Sequence, residues 1–416
     1  MMYGKLFYKI YFDVLGVVFY WKNMMFITEE KRIFAQNPDN MIKIANEIAH
    51  WKEQRKDILH NKELKLTQFI EKIYNVINLK NKKINTGGED MKAIVVDKNS
   101  ADGLDYSIQQ RIFEENGIEF ILEDCQTEDE IIEKCKDADA LLAIYRQITP
   151  RIMDALKNCK VILRYGIGYD VIDVKAATER GIKVCNSPRH CLDEVATHTI
   201  AMILAMERKL VFYHNLVKQG KWLANEGFKP HRLSTQTLGF VGFGNIARRA
   251  AEFAKGFGFR MLAYDPFLPE EVVKAAGAEK VELNQLLEES DVISLHTPLM
   301  DSTFHLINKD TIAKMKDGVM IVNTSRGPII AIDDLMEAVK EGKVKSAALD
   351  VVEGEPITVA NHPLFETGRI ICSPHAAYNS VEAEQQMMEV LAQTATDVLN
   401  GKNPANIVNK KELGLV

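Results

Sequence analysis

A chain of 416 residues with 46% apolar and 26% charged side chains can bury two domain-sized cores and has the composition of an ordinary soluble protein. Its formal charge of −6, with both signs interspersed and no long basic run, offers no electrostatic footprint for nucleic acid. The six cysteines, at 125, 135, 159, 185, 191 and 372, form no CxxC or Cys/His cluster, so no metal site is assigned and reduced thiols in the cytoplasm are expected.

Residues 1–90 read differently from the rest. KLFYKIYFDVLGVVFYW is apolar, but Lys9 and Asp13 interrupt it, and it falls short of the roughly 20 residues a spanning helix needs. It also lacks a small-residue cleavage site, so neither a membrane span nor a signal peptide is expected. From Asp39 to Leu79 two groups recur at helical spacing: Ile42, Ala45, Ile48 and Ala49, then Leu66, Phe69, Ile70, Ile73 and Ile77. Two amphipathic helices are predicted there. The junction GGEDM, residues 87–91, can be encoded as a purine-rich ribosome-binding sequence ahead of a start codon at Met91. Two readings stay open: a fused or over-extended upstream segment, and a helical appendage on a Gly-Gly linker.

Beyond Met91, short apolar runs of strand length alternate with helical stretches. KAIVVDK, IEFILEDC, DALLAIYR, KVILRYGIGYD and IKVCNS form a first series, with helices predicted at 105–116 and 149–157. Residues 193–220, DEVATHTIAMILAMERKLVFYHNLVKQG, read as one apolar helix long enough to join two domains. A second series follows in TLGFVGFG, RMLAYD, DVISLHTP, VMIVNTSR, SAALDVV and IICSPH, continuously apolar as strands buried on both faces must be. Alternation of this kind predicts an α/β fold with parallel sheets flanked by helices.

TLGFVGFGNIARRAAEFA carries the first site signal. A strand leads into Gly242, Gly244 and Ala247 at GxGxxG/A spacing, and a helix follows. The first small residue permits a tight turn, the second lets a pyrophosphate approach the backbone, and the third lets helix pack on strand. N–H groups at the helix start, at Asn245 and Ile246, would then face the phosphates. Asp265 ends the next strand twenty-three residues beyond Gly242, placed to accept from both ribose hydroxyls. Its charge would repel a 2′-phosphate, and Phe267 offers no compensating cation, so NAD is expected over NADP.

Three later strand ends carry candidate chemistry. Arg326 closes VMIVNTSRG, Glu355 follows ALDVVEGEP and His375 closes IICSPHAAY. If these strands are parallel, all three emerge at the carboxyl edge of one sheet, where ligands of such folds bind. A guanidinium can fork onto a carboxylate, a histidine can give or take a proton, and a neighbouring carboxylate favours its imidazolium form, so the three could act together beside a nicotinamide.

The order VGFGNIA, YDP, SLHTPL, VNTSRG, ALDVVEGEP, SPHAAY resembles the D-isomer-specific 2-hydroxyacid dehydrogenase family, from residue 91 to about residue 410. The resemblance implies two doubly wound domains: a Rossmann NAD-binding domain, 191–377, inserted in a discontinuous flavodoxin-like substrate domain, 91–190 and 378–416. It implies Arg326, Glu355 and His375 as the catalytic trio. Ile167 and Gly168 of LRYGIGYD fall on the family's substrate loop, whose backbone N–H groups hold the carboxylate. Thr297 and Pro298 fall on the cofactor pocket wall, Thr324 at the nicotinamide end and Asp350 at the carboxamide. A homodimer through the arm 190–235 is also implied. Tyr378, just after the histidine, resembles the branch of C-terminal-binding-protein corepressors, and this implies an alternative: an NAD(H)-sensing binding protein with incidental turnover. No membrane partner is expected.

Overall fold

The computed structural model describes residues 91–101 and 103–415. The extension expected over 1–90, with its two helices and its Gly-Gly junction, lies outside the described residues.

The first strand series folds as one five-stranded sheet. Its elements in chain order are β1 Lys92–Val95, α1 Ser107–Glu115, β2 Glu119–Leu122, α2 Glu128–Cys135, β3 Ala140–Ala143, α3 Pro150–Ala155, β4 Val161–Arg164, α4 Val174–Glu179 and β5 Lys183–Cys185. The strands are parallel in the order β2-β1-β3-β4-β5. Alternate residues feed two cores. Ala93, Val95, Ala140, Leu142, Val161 and Leu163 pack on one face, while Ile94, Val96, Leu141, Ala143 and Ile162 pack on the other. This is the period-two pattern of a sheet covered on both sides.

After α5 (Leu192–Glu207) and α6 (Leu210–Lys218), the second series forms a seven-stranded sheet. Its elements are β6 Thr237–Val241, α7 Asn245–Ala254, β7 Arg260–Tyr264, α8 Glu270–Ala275, β8 Glu279–Lys280, α9 Leu283–Glu289, β9 Val292–Leu295, α10 Lys309–Ala313, β10 Val319–Asn323, α11 Ile332–Glu341, β11 Val344–Leu349 and β12 Ile370–Cys372. All pairs are parallel, in the order β12-β11-β10-β9-β6-β7-β8. Only β8 had no counterpart in the predicted series, because two residues are too short to show a period. Helix α7 buries Ala247, Ala250, Ala251 and Ala254 completely, so a helix without bulky side chains on that face can lie close to α5 and the sheet. The chain then closes with α12, Val381–Leu399, whose Met387, Met388, Leu391, Ala392 and Ala395 return to the first sheet's core.

The single helix expected over 193–220 is corrected to two, α5 and α6. The chain breaks at Lys209, which adopts left-handed backbone at φ 56°. Its side chain is the physical reason. Lys209 is buried, and its Nζ donates to the carbonyls of Glu226 and Phe228 while lying 4.6–5.0 Å from the rings of Phe212, Tyr213 and Phe228. A buried ammonium needs such acceptors and π faces, and the break turns it onto them. No helix of the described residues is long and apolar enough to cross a membrane.

Replacing Lys209 by Met should leave two carbonyls unpaired and cost about 1–3 kcal/mol. Amide exchange should accelerate specifically over residues 221–232; exchange unchanged in that segment would refute this anchoring role.

Candidate active site

Register sets the site. Leu295, Asn323, Leu349 and Cys372 are successive partners across β9, β10, β11 and β12, and Val241 of β6 pairs with Leu295 on the other side. The segments that follow these strands therefore leave from one carboxyl edge. Between β6 and β9 the strand order reverses, which opens a crevice in sheets of this kind.

The crevice floor is built from the glycine turn. Gly242 is left-handed at φ 82°, and a Cβ there would stand 2.9 Å from the His296 carbonyl, so no other residue fits. A Cβ on Gly244 would meet nothing within 4 Å, which means that its backbone borders open space. Helix α7 starts immediately after, leaving the first-turn N–H groups of Asn245 and Ile246 without intrahelical acceptors. Asp265 accepts from the Phe243 N–H at 2.9 Å through one oxygen and from the Phe267 and Leu268 N–H groups through the other. It thereby ties the glycine turn to the end of β7 while staying half-buried at the crevice. On the opposite wall, the Thr297 hydroxyl, beside Pro298, is buried without a partner. Burial pushes the neighbouring His296 imidazole down to about 4, so this wall is neutral at physiological pH. Thr324 is buried and shares a hydrogen bond of 2.8 Å with Thr199 of α5. An open glycine floor, an orphaned hydroxyl and a carboxylate at the second strand end together fit a dinucleotide.

Further along the same edge, His375 takes left-handed backbone at φ 51°, a conformation that needs support in a residue other than glycine. Asp350 supplies the support. Its carbonyl accepts from the His375 N–H at 2.8 Å, and its carboxylate accepts from the Ser373 hydroxyl and from the N–H groups of Ala376 and Ala377. Both Asp350 oxygens are thus engaged by the histidine loop itself. The His375 ring meets Glu355 through Nδ1···Oε1 at 2.6 Å, while the second Glu355 oxygen accepts from the Val352 N–H at 3.0 Å. Burial pushes the Glu355 carboxyl up, but the bond and charge of His375, together with the Val352 N–H and the Arg326 charge, hold it below the ordinary value. Nε2 remains as the ring nitrogen available to a substrate.

Arg326 sits beyond the end of β10, and Ile167 and Gly168 in the segment after β4. A Cβ on Gly168 would stand 1.5 Å from Arg326 Nη2, so only glycine allows the guanidinium this close. Arg326 donates through Nε and Nη2 to Asp170 Oδ1, each at 3.0 Å, and through Nη1 to the Ser325 carbonyl at 2.8 Å.

This geometry can be set beside known proteins. Residues 200–377 match the model of the D-isomer specific 2-hydroxyacid dehydrogenase, NAD binding domain. A glyoxylate reductase from Korarchaeum cryptofilum is 38% identical over 287 residues, covering 68% of this chain and 86% of that protein. The chain belongs to this dehydrogenase family. A hydroxypyruvate reductase from Thermotoga maritima is 40% identical over 288 residues, 69% of this chain and 92% of that one. The crystal structure of a glyoxylate reductase from Paecilomyes thermophila shares the fold at a TM-score of 0.70 and 27% identity, covering 78% of this chain and all of that one (100%). The chain is accordingly an NAD-dependent 2-hydroxyacid dehydrogenase with two parallel-sheet α/β layers systems, as the strand order shows.

Sequence reasoning passed over several residues that meet the dehydrogenase's candidate site side chains. Asp170 closes the same LRYGIGYD run as Gly168, and an acid two residues from a candidate anion-binding glycine was a signal available but unused. Arg164 ends β4 and lies over the Tyr145 ring at 5.9 Å. Thr199 had no signal, since a threonine inside an apolar helix looks like any other.

Gly168→Ala should displace the Arg326 guanidinium. The expected result is 2-oxo acid turnover reduced at least about tenfold with NADH affinity unchanged; wild-type kinetics in this variant would mean that the close approach is dispensable.

Proposed function

We propose that the chain interconverts a small D-2-hydroxy acid and its 2-oxo acid, with Arg326 binding substrate and His375 exchanging the proton. The observation that carries this reading is the His375–Glu355 pair at 2.6 Å, on the same sheet edge as Arg326. Bound NADH supplies the hydride that reduces C2. Gly242, Gly244, Asn245 and Ile246 would hold its pyrophosphate, Asp265 the ribose, and Thr297, Pro298, Thr324 and Asp350 the remainder.

The protein's own part is electrostatic and acid–base. Arg326 forks onto the substrate carboxylate and carbonyl oxygen, joined by the backbone N–H groups of Ile167 and Gly168. As negative charge grows on the carbonyl oxygen, the guanidinium stabilises it and His375 gives up a proton from Nε2. Glu355 at Nδ1 holds the ring in place. In the oxidative direction His375 takes the proton back. The substrates named for the relatives, glyoxylate and hydroxypyruvate, are small 2-oxo acids of the size this chemistry handles.

The same reading divides the chain into a substrate domain of residues 91–190 and 378–416 and a nucleotide domain of 191–377. It places the enzyme in the cytoplasm as a homodimer formed through the 190–235 arm, where Trp222 and Leu223 are exposed. No observation favours the corepressor-like alternative.

The test is NADH oxidation by the full chain against glyoxylate, hydroxypyruvate, pyruvate, branched 2-oxo acids and phosphohydroxypyruvate. Saturable turnover of one of them, lowered about 10²–10⁴-fold by His375→Ala, is expected; tight NADH binding without turnover of any would overturn the reading. Glu355→Gln keeps the size of the side chain but removes the carboxylate that holds the His375 ring, so turnover should fall about tenfold or more with NADH binding unchanged; wild-type turnover would refute the assignment. Asp265→Ser should narrow the preference for NADH over NADPH by about tenfold or more.

A further inference from the structure

His305, in the segment between β9 and α10, adopts left-handed backbone at φ 48°. Among the described residues only Lys209 and His375 share this with it outside glycine. Glycine takes such an angle freely, whereas any other residue stays there only where its surroundings fix it. At Lys209 and His375 the side chain supplies the reason, since each is turned onto partners that hold it. His305 follows the same pattern. Its Nε2 lies 2.9 and 3.0 Å from the two carboxylate oxygens of Glu353, and Phe304 stacks on its ring with centroids 4.0 Å apart. Its backbone is engaged as well: the N–H donates to the Pro328 carbonyl at 2.8 Å, and the carbonyl accepts from Asn308 Nδ2 at 2.9 Å.

Two of these partners belong to the loops that carry the proposed chemistry. Pro328 is two residues beyond Arg326, in the segment after β10. Glu353 lies in the tight turn after β11 that ends in Glu355. In that turn the Glu355 N–H donates to the Val352 carbonyl at 3.1 Å, the Val352 N–H donates to Glu355 Oε2 at 3.0 Å, and Gly354 is left-handed at φ 81°. The two loops also press directly on each other, because a Cβ on Gly327 would stand 2.2 Å from the Val352 carbonyl carbon and 2.4 Å from the Glu353 nitrogen. His305 thus fastens the Glu355 turn through its side chain and the Arg326 segment through its backbone. Since Glu355 holds the His375 ring at 2.6 Å, a shift of that turn would move the acid–base group relative to the guanidinium.

We propose that His305 is a positioning residue, which acts through Glu353 to hold the Glu355 turn, and with it the His375 ring, in register with Arg326. The proposal rests on the reading of Arg326, Glu355 and His375 as the reacting groups. It gives the left-handed histidine a reason: glycine would suit the backbone better but has no ring to place against Glu353.

Steady-state kinetics of the full chain tests it, with whichever of glyoxylate, hydroxypyruvate and pyruvate the wild type reduces fastest, alongside NADH titration and thermal melting. His305→Gly removes the ring, keeps the backbone bonds to Pro328 and Asn308, and relieves the left-handed angle. Its kcat should fall about tenfold while NADH affinity and melting temperature stay near those of the wild type. A merely structural role gives the opposite pattern, a melting temperature that moves while kcat stays. Glu353→Ala should reproduce the loss, and the double variant should be no slower than either single one, because both remove the same contact. A wild-type kcat in His305→Gly overturns the proposal, as do losses that multiply in the double variant, and either result leaves the dehydrogenase reading intact. A wild-type chain that binds NADH but turns over no 2-oxo acid overturns both. If His305→Gly does not fold, His305→Asn, which tolerates the left-handed angle and is too short to reach Glu353, decides in its place.

Discussion

In-register parallel pairing is the constraint on which everything else in this dehydrogenase depends. Because β6, β7 and β9 to β12 end in step, six chain segments leave the seven-stranded sheet at one edge. Residues as distant in sequence as Gly242 and His375 then share one crevice. A slip of one residue in any pair would turn its side chains to the opposite face and take its loop out of step. The register is protected by burial on both faces. Val319 and Ile321 enter one core while Met320 and Val322 enter the other, so no alternative pairing keeps both cores filled.

Strand ends alone would leave the loops loose, and three carboxylates prevent it. Asp97, fully buried after β1, accepts from the N–H groups of Ile144, Tyr145 and Arg146 beyond β3. Asp265 joins the glycine turn to the end of β7, and Asp350 gathers the histidine loop after β12. Each is a charge-assisted contact to backbone donors of a neighbouring strand's loop, the kind of bond that fixes position tightly. The result is a preorganised edge, in which His375 can keep an unfavourable backbone angle and Arg326 a fixed orientation.

The helix α12 shows how the two sheets depend on one chain. It follows the histidine loop directly, yet its methionines and leucines complete the core of the first sheet. The chain therefore leaves the five-stranded sheet at β5, builds the seven-stranded sheet, and returns. The segment carrying Arg164, Gly168 and Asp170 and the loop carrying Arg326 face one another across the cleft that this path creates.

Much of this was legible in the sequence, because it depends on local pattern. Continuous apolar runs announced strands buried on both faces, glycines two apart announced the nucleotide turn, and motif order announced the family. What the sequence could not supply depends on distant partners. One helix was expected over 193–220 where two exist, because the carbonyls and rings that hold the Lys209 ammonium come from a later loop as well as from α6. That the Asp350 carboxylate also gathers the histidine loop, through the Ser373 hydroxyl and the N–H groups of Ala376 and Ala377, depends on partners more than twenty residues away. Asp170 was passed over, since an acid in a turn acquires meaning only when a guanidinium from the other sheet arrives beside it. The sequence by itself determined the elements, their alternation and the chemical groups on offer. The tertiary structure decided which charges meet, because Coulomb interactions and hydrogen bonds depend on separation in space and not along the chain.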